Sequence, residues 1–402
     1  MIVNLQKPVV YVTRDIERAL GMEPSGSYFV ISNDTAYGRK VREAYPDNVL
    51  LVRDRGETSV KDTEVSPRYL DTYDLLLMPE VQREISDRDA DLLVFQNTPR
   101  IERLAKEKGW SLLNPSAMLS REVEEKVSQV AWLGEDASLL PPHRIALAKD
   151  ARFEGAKFVL QWNHSHTGEG TYVIDSAEAL SSVASRFPDR ECRITRFVEG
   201  PVFTVNSVVA EAIIVGNPSY QITGLAPFTD LPFSTIGNDW DLPRDEEYAA
   251  VSEEVRKMAI RVGERLRLSG WYGLFGIDAV YDEKAGKTYL LEINARQPAS
   301  TTLESKLQKS DSIFEAHLSA LLGLPAASGP EIRGAQIVKR VTREAYSIDE
   351  AALSDKGLSL IGYENTEHNK EILRIQSERG IMRAHNKLND LGISIASCIR
   401  KI

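Results

Sequence analysis

The side chains best suited to ion chemistry lie on residues 276–281 and 289–296, two segments that both alternate like β-strands. Residues 282–287 between them favour a turn, so the two segments form a predicted hairpin. Alternation gathers four polar side chains on this hairpin: Asp278, Glu292, Asn294 and Arg296. Because Mg²⁺ is usually held by one or two carboxylates together with substrate phosphates, the sequence predicts a magnesium and phosphate site here.

Short apolar runs alternate with helical patterns in the first part of the chain. A helix is predicted at residues 101–108, and four runs are typical of buried strands: residues 9–12, 28–31, 49–52 and 92–95. Strands that alternate with helices indicate a small parallel sheet, which is buried on both faces. We therefore predict an N-terminal α/β domain.

The remainder of the chain mixes helices and strands in a different order. Helical periodicity covers residues 117–133, 250–268 and 378–391, and residues 335–341 have a strand pattern. These patterns favour an α/β (α+β) fold with a C-terminal α+β segment.

We predict three parts for the chain, the last of which completes the active site: residues 1–116, 117–328 and 329–402. Within the second part, we expect a mobile lid at about residues 150–215 and the hairpin at residues 273–298.

The composition is that of an ordinary globular protein, with 402 residues of which 42% are hydrophobic and 27% are charged. A formal net charge of −10 argues against broad binding to nucleic acid or to an anionic membrane. The two cysteines, Cys192 and Cys398, lack metal-ligand spacing and fit a reducing compartment rather than a disulfide framework. With no long apolar run and no export signal in the sequence, we expect a cytoplasmic protein.

Three further patterns are weak when each is taken alone. Lys126 lies on the predicted helix 117–133, where it could reach a phosphate, although such lysines usually face solvent. Residues 163–170 form a glycine-bearing loop between strands, which suits either a phosphate or a plain hairpin turn. Residues 196–198 lead into a Gly-Pro turn and could contact an adenine, or form only a turn.

The order of these patterns resembles the ATP-grasp superfamily, and within it the carboxylase and carboxylate-amine ligase branch. Glu-Lys-Val-Ser comes first, followed by the glycine loop, Arg-Phe-Val-Glu-Gly-Pro, the strand with Asp278, and Leu-Glu-Ile-Asn-Ala-Arg. The resemblance covers roughly residues 120–300, and the Glu-x-Asn-x-Arg strand is its most specific part. It implies an ATP-grasp fold preceded by a small α/β domain.

The resemblance implies a role for each matching residue. Arg296 would hold the acyl phosphate or the substrate carboxylate, and Arg340, on a strand similar to one of biotin carboxylase, is a second catalytic candidate. The implied metal ligands are Asp278, Glu292 and Asn294. The implied ATP contacts are Lys126, Gln161, His164, His166, Gly168, Gly170, Arg196, Phe197 and Val198. The implied cofactors are ATP and Mg²⁺, with Mn²⁺ as a substitute.

Four positions depart from the family pattern. Gln161 occupies the position of the second ATP lysine, which makes one phosphate contact neutral. Thr195 replaces a carboxylate at the start of the adenine hinge, and Val202 replaces the ribose-binding glutamate, so both bear on the choice of nucleotide. Ser300 occupies the position of the glutamate that acts as a base toward bicarbonate in biotin carboxylases, which disfavours that reaction.

The substrate side rests on an irregular loop at residues 225–240. Asp239 and Trp240 could hold a substrate ammonium through a charge and a π face, or Trp240 could simply anchor the loop. Ser300 and Thr301 could line the same pocket.

The reaction that the resemblance implies is activation of a carboxylate as an acyl phosphate, followed by attack of an amine and release of ADP and phosphate. Its expected partners are a small-molecule carboxylate and an amine, with no nucleic acid and no membrane, and a homodimer is allowed. Two alternatives stay open: a nucleotide-binding protein with a degenerate site and no ligase activity, and a carboxylase-like enzyme that acts on bicarbonate.

Overall fold

A computed structural model of the chain describes residues 5–53, 69–163 and 170–402. The N-terminal unit contains β1 (Val9–Val12), β2 (Tyr28–Asn33), β3 (Val49–Val52), β4 (Asp91–Val94) and β5 (Ser111–Leu112). Neighbouring strands are parallel and follow the order β3-β2-β1-β4-β5. The predicted parallel sheet is therefore confirmed.

Helices cover both faces of this sheet. They are α1 (Ala36–Ala44), α2 (Thr72–Leu77), α3 (Pro79–Asp87) and α4 (Pro99–Lys108). Local sequence sets the ends of α4, because the Thr98 side chain caps its first turn and Gly109 ends it at a φ of 70°. Successive residues of β1 pack into two different cores, which explains why its sequence is a continuous apolar run.

The N-terminal unit contacts the rest of the molecule through β1 and the loop that follows it. The Tyr11 hydroxyl donates to Gln297 Oε1 at 2.8 Å, and Gln297 Nε2 donates to the Arg18 carbonyl at 2.7 Å. The Thr302 hydroxyl donates to the Glu17 carbonyl at 2.9 Å. Because Gln297 directly follows Arg296, the parallel sheet helps to fix the position of that arginine.

Residues 117–133 form two helices, α5 (Ala117–Glu124) and α6 (Ser128–Leu133), where the sequence predicted one. The break begins at Glu125, which has an extended ψ of 134°. Asn163 stabilises it by accepting from the backbone N–H of Val127 at 2.8 Å and by donating to the Glu125 carboxylate at 2.7 Å. The prediction that Lys126 lies on a helix is wrong, because a side chain distant in sequence satisfies groups at the break.

An antiparallel four-stranded sheet follows, in the order β6-β9-β7-β8. Its elements are β6 (His143–Leu147), β7 (Phe158–Trp162), β8 (Thr171–Ile174), α7 (Ala177–Ala184) and β9 (Glu191–Arg196). Buried side chains of Leu160, Trp162 and Cys192 form its own small core. We call this sheet the lid sheet; the mobility and limits expected for a lid stay predictions.

The largest sheet combines the middle and the end of the chain. The middle contributes β10 (Val202–Val209), β11 (Ile213–Val215), β12 (Ser219–Thr223), β13 (Thr235–Asp239), α8 (Glu246–Leu268), β14 (Gly273–Asp282), β15 (Lys287–Asn294), α9 (Thr301–Gln308) and α10 (Ile313–Leu321). The end contributes β16 (Ala335–Arg340), β17 (Tyr346–Ile348), α11 (Glu350–Ser354), β18 (Ser359–Gly362), β19 (Glu371–Ser377), β20 (Met382–Ala384), β21 (Lys387–Leu388), α12 (Asp390–Ser397) and β22 (Ile399–Lys401).

Nine of these strands form one sheet in the order β15-β14-β10-β12-β13-β16-β19-β18, with β11 paired to β10. The strand predicted at residues 335–341 is confirmed as β16, and it joins the same sheet as the hairpin. Short pairs, β17 with β22 and β20 with β21, lie outside it. The three boundaries predicted from the sequence stay predictions.

The helix predicted at residues 378–391 is wrong. The chain instead forms the β20-β21 hairpin and then α12, with Asn386 at a φ of 55° in the turn. The Asp239 carboxylate accepts from the backbone N–H groups of Ile381 and Met382 at 2.6 and 2.8 Å. These bonds use donors that a helix would need for its own ladder.

Four 3₁₀ turns complete the described elements: Ile16–Ala19, Gly134–Leu139, Ala148–Asp150 and Leu242–Arg244. In the described parts of the chain, no helix combines the length and the apolar character needed to cross a membrane. Cys192 and Cys398 are free thiols, and both are buried.

Candidate active site

The predicted hairpin is confirmed as β14 and β15, which pair antiparallel. Asp278 lies directly opposite Glu292, and a register shift follows immediately after Asp278. These two carboxylates, Asn294 and Arg296 are partly exposed, whereas the intervening Ile293 and Ala295 are buried. Strand alternation therefore turns the polar side chains away from the core.

Two ion pairs join the hairpin to the break between α5 and α6. Lys126 Nζ donates to Glu292 Oε1 at 2.8 Å, and Arg296 Nη1 donates to Glu124 Oε1 at 2.6 Å. The Lys126 side chain is only 9% exposed, so its charge acts where water screens it weakly. The extended backbone at Glu125 makes this arrangement possible, because it directs Glu124 and Lys126 to two points of the same hairpin.

The two facing carboxylates have different proton affinities. Burial raises the pKa of Asp278 to about 6, and the charge of Glu292 adds to that shift. Burial would also raise the pKa of Glu292, but the charge and hydrogen bond of Lys126, together with Arg296, hold it below its usual range. Glu292 is therefore the more firmly ionised member of the pair.

The nine-stranded sheet has one apolar and one polar face. Residues such as Phe203, Ile277 and Ile337 belong to the core on the α8 side. Their neighbours along each strand form what we call the polar face: Thr204, Asn206, Ser219, Gln221, Asn238, Asp278, Glu292, Asn294, Gln336, Arg340, Arg374 and Gln376. The hairpin carboxylates lie at one end of this face, and Arg340 and Arg374 lie at the other end.

Hydrogen bonds link members of the polar face across strands. The Thr204 hydroxyl donates to Asp278, Asn238 Nδ2 donates to the Ser219 hydroxyl at 3.1 Å, and Gln336 Nε2 donates to Asn238 Oδ1 at 3.1 Å. Among the residues that the structure describes, Gln336 Oε1, Arg340 Nε and Arg374 Nε are buried without a hydrogen-bond partner. Unpaired buried groups are costly, and they are what a polar ligand would satisfy.

The lid sheet contacts the hairpin sheet through Arg193 on β9. Arg193 is 2% exposed; its Nη2 donates to the Leu291 carbonyl at 3.3 Å, and its Nη1 donates to Gln129 Oε1 at 2.8 Å. Its Nε and Nη2 both donate to Gln161 Oε1, at 3.0 and 2.8 Å. One buried guanidinium therefore joins the lid sheet, α6 and the strand that carries Glu292.

Residues 123–300 match the family model of an ATP-grasp domain. The chain carries an ATP-grasp domain. The matched range includes the lid sheet, the hairpin and Arg296, as the sequence patterns predicted. No curated protein sequence matches the chain.

Solved structures extend the likeness beyond the ATP-grasp domain. N5-carboxyaminoimidazole ribonucleotide synthetase from Thermotoga maritima is 17% identical, with a TM-score of 0.63 over 98% of this chain and 99% of that chain. N5-carboxyaminoimidazole synthase from Aspergillus clavatus, in complex with ADP and 5-aminoimidazole ribonucleotide, is 16% identical, with a TM-score of 0.63 over 92% of this chain and 93% of that chain. The Staphylococcus aureus synthetase complexed with ADP is 11% identical, with a TM-score of 0.63 over 98% of each chain. At these identities the likeness concerns the fold, and it covers nearly the whole chain.

The predicted ATP contacts of the ATP-grasp domain have different outcomes. Lys126 lies against the hairpin, and Gln161 lies beside Arg193. His164, His166 and Gly168 lie outside the described residues, and Gly170 only borders them, with its carbonyl accepting from the Trp162 N–H at 2.9 Å. Whether these residues bind ATP stays a prediction.

The predicted adenine hinge is tied to the hairpin turn. Arg196 Nη2 donates to Asp282 Oδ2 at 2.8 Å, and the Arg196 guanidinium lies over the Tyr289 ring, 5.3 Å from its centroid. Phe197 meets Phe233 edge-on at a centroid distance of 6.3 Å, and Val198 is partly exposed. A nucleotide role for these three residues stays a prediction.

The donor set on the hairpin suits a hard cation. No group of three His, Cys, Asp or Glu side chains that could hold a metal ion occurs in the described parts of the chain. Asp278 and Glu292 nevertheless offer two facing carboxylates with the Asn294 amide beside them, and Mg²⁺ needs only one or two carboxylates when phosphates supply the rest. The residues present therefore fit a magnesium ion bound together with a nucleotide.

The structure corrects the substrate role expected for Asp239 and Trp240. Asp239 is fully buried, and its carboxylate accepts from four backbone N–H groups, those of Asp241, Leu242, Ile381 and Met382. Trp240 is 1% exposed and packs with Leu303 and Ile332. A saturated, buried carboxylate has no acceptor left for an ammonium, so the alternative of a loop anchored by a tryptophan is the one found.

Two hydroxyl groups and one arginine also lie in unexpected surroundings. Ser300 and Thr301 are both buried, and Ser300 exchanges hydrogen bonds with Asn206 at 3.0 and 3.2 Å. Because both residues are buried where α9 begins, neither lies on the wall of an open pocket. Arg340 donates to the carbonyls of Asn369 and Thr235, both at 2.8 Å, so its catalytic role stays a prediction.

Sequence reasoning missed three charged residues near the site, of which Arg193 and Glu304 are buried and Glu124 is partly exposed. Glu124 was hidden in the predicted helix, Arg193 in an apolar strand, and Glu304 in α9. Glu304 is fully buried, and its carboxylate accepts from the Asn206 amide at 2.6 Å and from the Asn217 N–H at 2.7 Å. The one available signal was an arginine between apolar residues at Cys192-Arg193-Ile194, since such a charge is rarely buried without a partner.

Proposed function

We propose that this protein is an ATP-dependent ligase that activates a carboxylate as an acyl phosphate and joins it to an amine, with release of ADP and phosphate. The observation that carries the proposal is the facing pair Asp278 and Glu292, flanked by Lys126 and by Arg296. Two anionic and two cationic side chains at one point suit a reaction that moves a phosphoryl group between two negatively charged partners.

Lys126 is the residue that we assign to the nucleotide phosphates. Its Nζ lies 2.8 Å from Glu292 Oε1, and Glu292 faces Asp278 across the hairpin. A phosphate that enters here can share the ammonium as a point charge, because lysine has three donors and a flexible stem. Asp278, Glu292 and Asn294 would hold a magnesium ion, which would neutralise part of the negative charge on the phosphates.

Arg296 is the residue that we assign to the substrate carboxylate or its acyl phosphate. Its guanidinium uses one nitrogen for Glu124. Burial lowers the pKa of Arg296, but the charges of Glu124, Glu292 and Asp278 outweigh burial and hold that pKa above its usual range, so the side chain stays cationic. The planar fork has further donors that suit two oxygens of one anion. The contact of Gln297 with the N-terminal unit holds this arginine in place, which favours a fixed position for the reacting carboxylate.

The polar face gives the substrates a surface on which to lie. Gln336 Oε1 is an unpaired acceptor, and Arg340 Nε and Arg374 Nε are unpaired donors on that face. A small molecule that has both a donor and an acceptor would satisfy these groups at the end of the face opposite the hairpin. We expect the unpaired groups to select the substrates, because a molecule that pairs with them binds better than one that leaves them unpaired.

The test is a screen of the purified protein with Mg-ATP against pooled carboxylates, amines and bicarbonate. We expect ADP to form only with a suitable carboxylate, and an amide to appear by mass spectrometry when the matching amine is added. If ADP forms with bicarbonate and with none of the other carboxylates, the carboxylase-like reaction is favoured. Binding of Mg-ATP without turnover across a broad screen would favour a nucleotide-binding protein.

Variants of one hairpin test the site itself. Glu292→Gln removes a carboxylate and the partner of Lys126, so turnover should fall by at least about 100-fold, by analogy with the loss of one charge-stabilising group. Glu283→Gln is the matched control, because Glu283 is exposed in the turn of the same hairpin. Equal turnover in the two variants would contradict the assignment of Glu292 to the metal and phosphate site.

A further inference from the structure

Glu124, at the end of α5, is a carboxylate that uses only one of its two oxygens. Its Oε1 accepts from Arg296 Nη1 at 2.6 Å, and its Oε2 has no hydrogen-bond partner among the residues that the structure describes. The side chain is 19% exposed, so a molecule in solution can approach it. An acceptor with a negative charge is therefore held directly beside the arginine that we assign to the acyl phosphate.

Arg296 also lines an open cavity beside α5, with about 320 Å³ of empty space. The cavity wall includes Ser120, which precedes Glu124 by one helical turn and so lies on the same face of α5. Part of the wall is apolar, formed by side chains such as Phe95, Trp271 and Leu274. The cavity therefore gives a small molecule a place next to Arg296 and to the helix face that carries Glu124.

The cavity suits a ligand that donates hydrogen bonds, because its wall has an unused acceptor. Asn97 Nδ2 donates to Glu102 Oε1 and to the Pro115 carbonyl, both at 2.9 Å, which fixes the orientation of the amide. Asn97 Oδ1 is left buried and without a partner in the described parts of the chain. Nitrogen with several N–H groups, as in an ammonium, provides the donors that such acceptors require.

The charges around the cavity do not exclude a cation. His317 lies on the wall, but its Nδ1 accepts from the Leu274 N–H at 2.9 Å, and burial lowers its pKa to about 3, so the ring is neutral near pH 7. The positive charge of Arg296 is opposed by the charges of Glu124 and Glu292. An ammonium that approaches Glu124 therefore meets an arginine whose charge is already balanced.

Three charged groups face Glu124, and together with burial they set its proton affinity. Burial raises the pKa of Glu124 above its usual value; the charge and hydrogen bond of Arg296 and the charge of Lys126 oppose that shift, and the charge of Glu292 adds to it. A carboxylate whose pKa is moved toward neutrality accepts and releases protons more readily near pH 7. This environment supports a role in proton transfer, in addition to the position beside Arg296.

We propose that Glu124 binds the ammonium group of the second substrate and is the base that frees its lone pair for attack on the acyl phosphate at Arg296. The proposal rests on the proposed function, since it needs an acyl phosphate in the site. It identifies the second substrate as a small amine that is cationic at neutral pH. It also supplies a base in a chain that has Ser300 where biotin carboxylases carry theirs.

The step balances with this single base. The nitrogen of a primary ammonium loses two protons when it becomes an amide. Glu124 takes the first proton, which frees the lone pair, and later returns that proton to water. The lone pair forms the C–N bond at the acyl carbon, the C–O bond to phosphate breaks, and the phosphate leaves with that electron pair and takes the second proton.

The variant Glu124→Gln separates the base from the support of Arg296. Its amide oxygen still accepts from Arg296, but it has no negative charge and takes no proton. With Mg-ATP and the carboxylate and amine found by the screen, the kcat for amide formation should fall by at least about 100-fold. Hydroxylamine is largely uncharged at neutral pH and needs no base to free its lone pair, so the rate of hydroxamate formation should stay within about three-fold of the wild type.

Two further variants serve as controls. Glu124→Asp keeps a carboxylate and should regain amide formation to at least about 10-fold above the glutamine variant. Glu122→Gln makes the same change of charge at an exposed position of α5, and it should leave both rates unaltered. If Glu124→Gln lowers the two rates equally, or lowers neither, Glu124 is not the base and the proposal is overturned. An aspartate variant no better than the glutamine variant would also overturn it.

These outcomes are distinguishable from failure of the proposed function. A wild-type protein that forms neither an amide nor a hydroxamate with any carboxylate would contradict the ligase and this inference together. A wild-type protein that forms both products, with an unchanged ratio of the two rates in Glu124→Gln, would contradict this inference alone.

Discussion

Glu304 provides the sharpest test of the buried polar network beside the site. Its side chain is 0% exposed, and burial raises its pKa to about 7, although hydrogen bonds from Asn217 and Asn206 and the charge of Arg256 oppose that shift. The carboxyl group is therefore largely protonated in the folded chain at pH 5 and largely ionised at pH 8. We predict that Glu304→Gln becomes more stable, relative to the wild type, as the pH rises.

The size of this effect follows from proton linkage. An unfolded glutamate has a pKa of about 4.3, so the folded state binds more protons than the unfolded state between about pH 4.3 and pH 7. The contribution of Glu304 to the free energy of unfolding must therefore fall as the pH rises through that window and level off above it. A difference of about 2.7 pKa units corresponds to about 3.7 kcal/mol in full, of which about 2.5 kcal/mol falls between pH 5 and pH 8.

Urea denaturation of the wild type and of Glu304→Gln at pH 5 and pH 8 measures this term. Because all other titrating groups are shared, the difference between the two proteins isolates position 304. We expect that difference to move in favour of the variant by about 2.5 kcal/mol from pH 5 to pH 8. Glu199→Gln, at an exposed position, should show no such movement. A difference that is the same at both pH values would refute the argument that burial controls Glu304.

Three other changes test separate parts of the structure. Lys126→Met should raise the Kd for Mg-ATP by roughly 10-fold, because it removes a charge-assisted contact. If calorimetry finds an unchanged Kd, Lys126 does not contact the phosphates. Asp239→Asn should lower the free energy of unfolding by about 2–3 kcal/mol, since an amide NH₂ would face backbone N–H donors, while the KM values at a temperature where the variant is folded stay unchanged. A changed KM at unchanged stability would instead restore a substrate role for Asp239. Gly237→Ala would place a Cβ 2.0 Å from the Gln336 carbonyl oxygen, so we expect a marked fall in the melting temperature, and an unaltered melting temperature would contradict the pairing of β13 with β16.

The sequence predicted what depends on local patterns. Continuous apolar runs identified the parallel strands, and alternation identified the hairpin with Asp278 and Glu292. Both patterns are set by neighbours in the chain, because burial on one or two faces determines which residue types occur. The ordered motifs then located the ATP-grasp domain.

What the sequence could not predict depends on contacts between distant residues. The helix at residues 117–133 is interrupted because Asn163 binds the backbone after Glu125, and no local signal marks that bond. Asp239 looked available for a substrate because its four backbone donors come partly from residues more than 140 positions away. Arg193 was missed for the same reason, since its partners lie on three separate elements.

The two faces of the nine-stranded sheet separate two demands on the sequence. Odd and even positions of one strand lie on opposite faces, so replacing Asn238 or Gln336 changes the polar face and leaves Ile337 and its neighbours in the core. Evolution can therefore exchange recognition groups one at a time while the same backbone persists. Such a division fits a fold that this chain shares with the compared synthetases at only 11–17% identity, and it makes the positions of the polar face the natural starting point for redirecting this fold toward a new substrate.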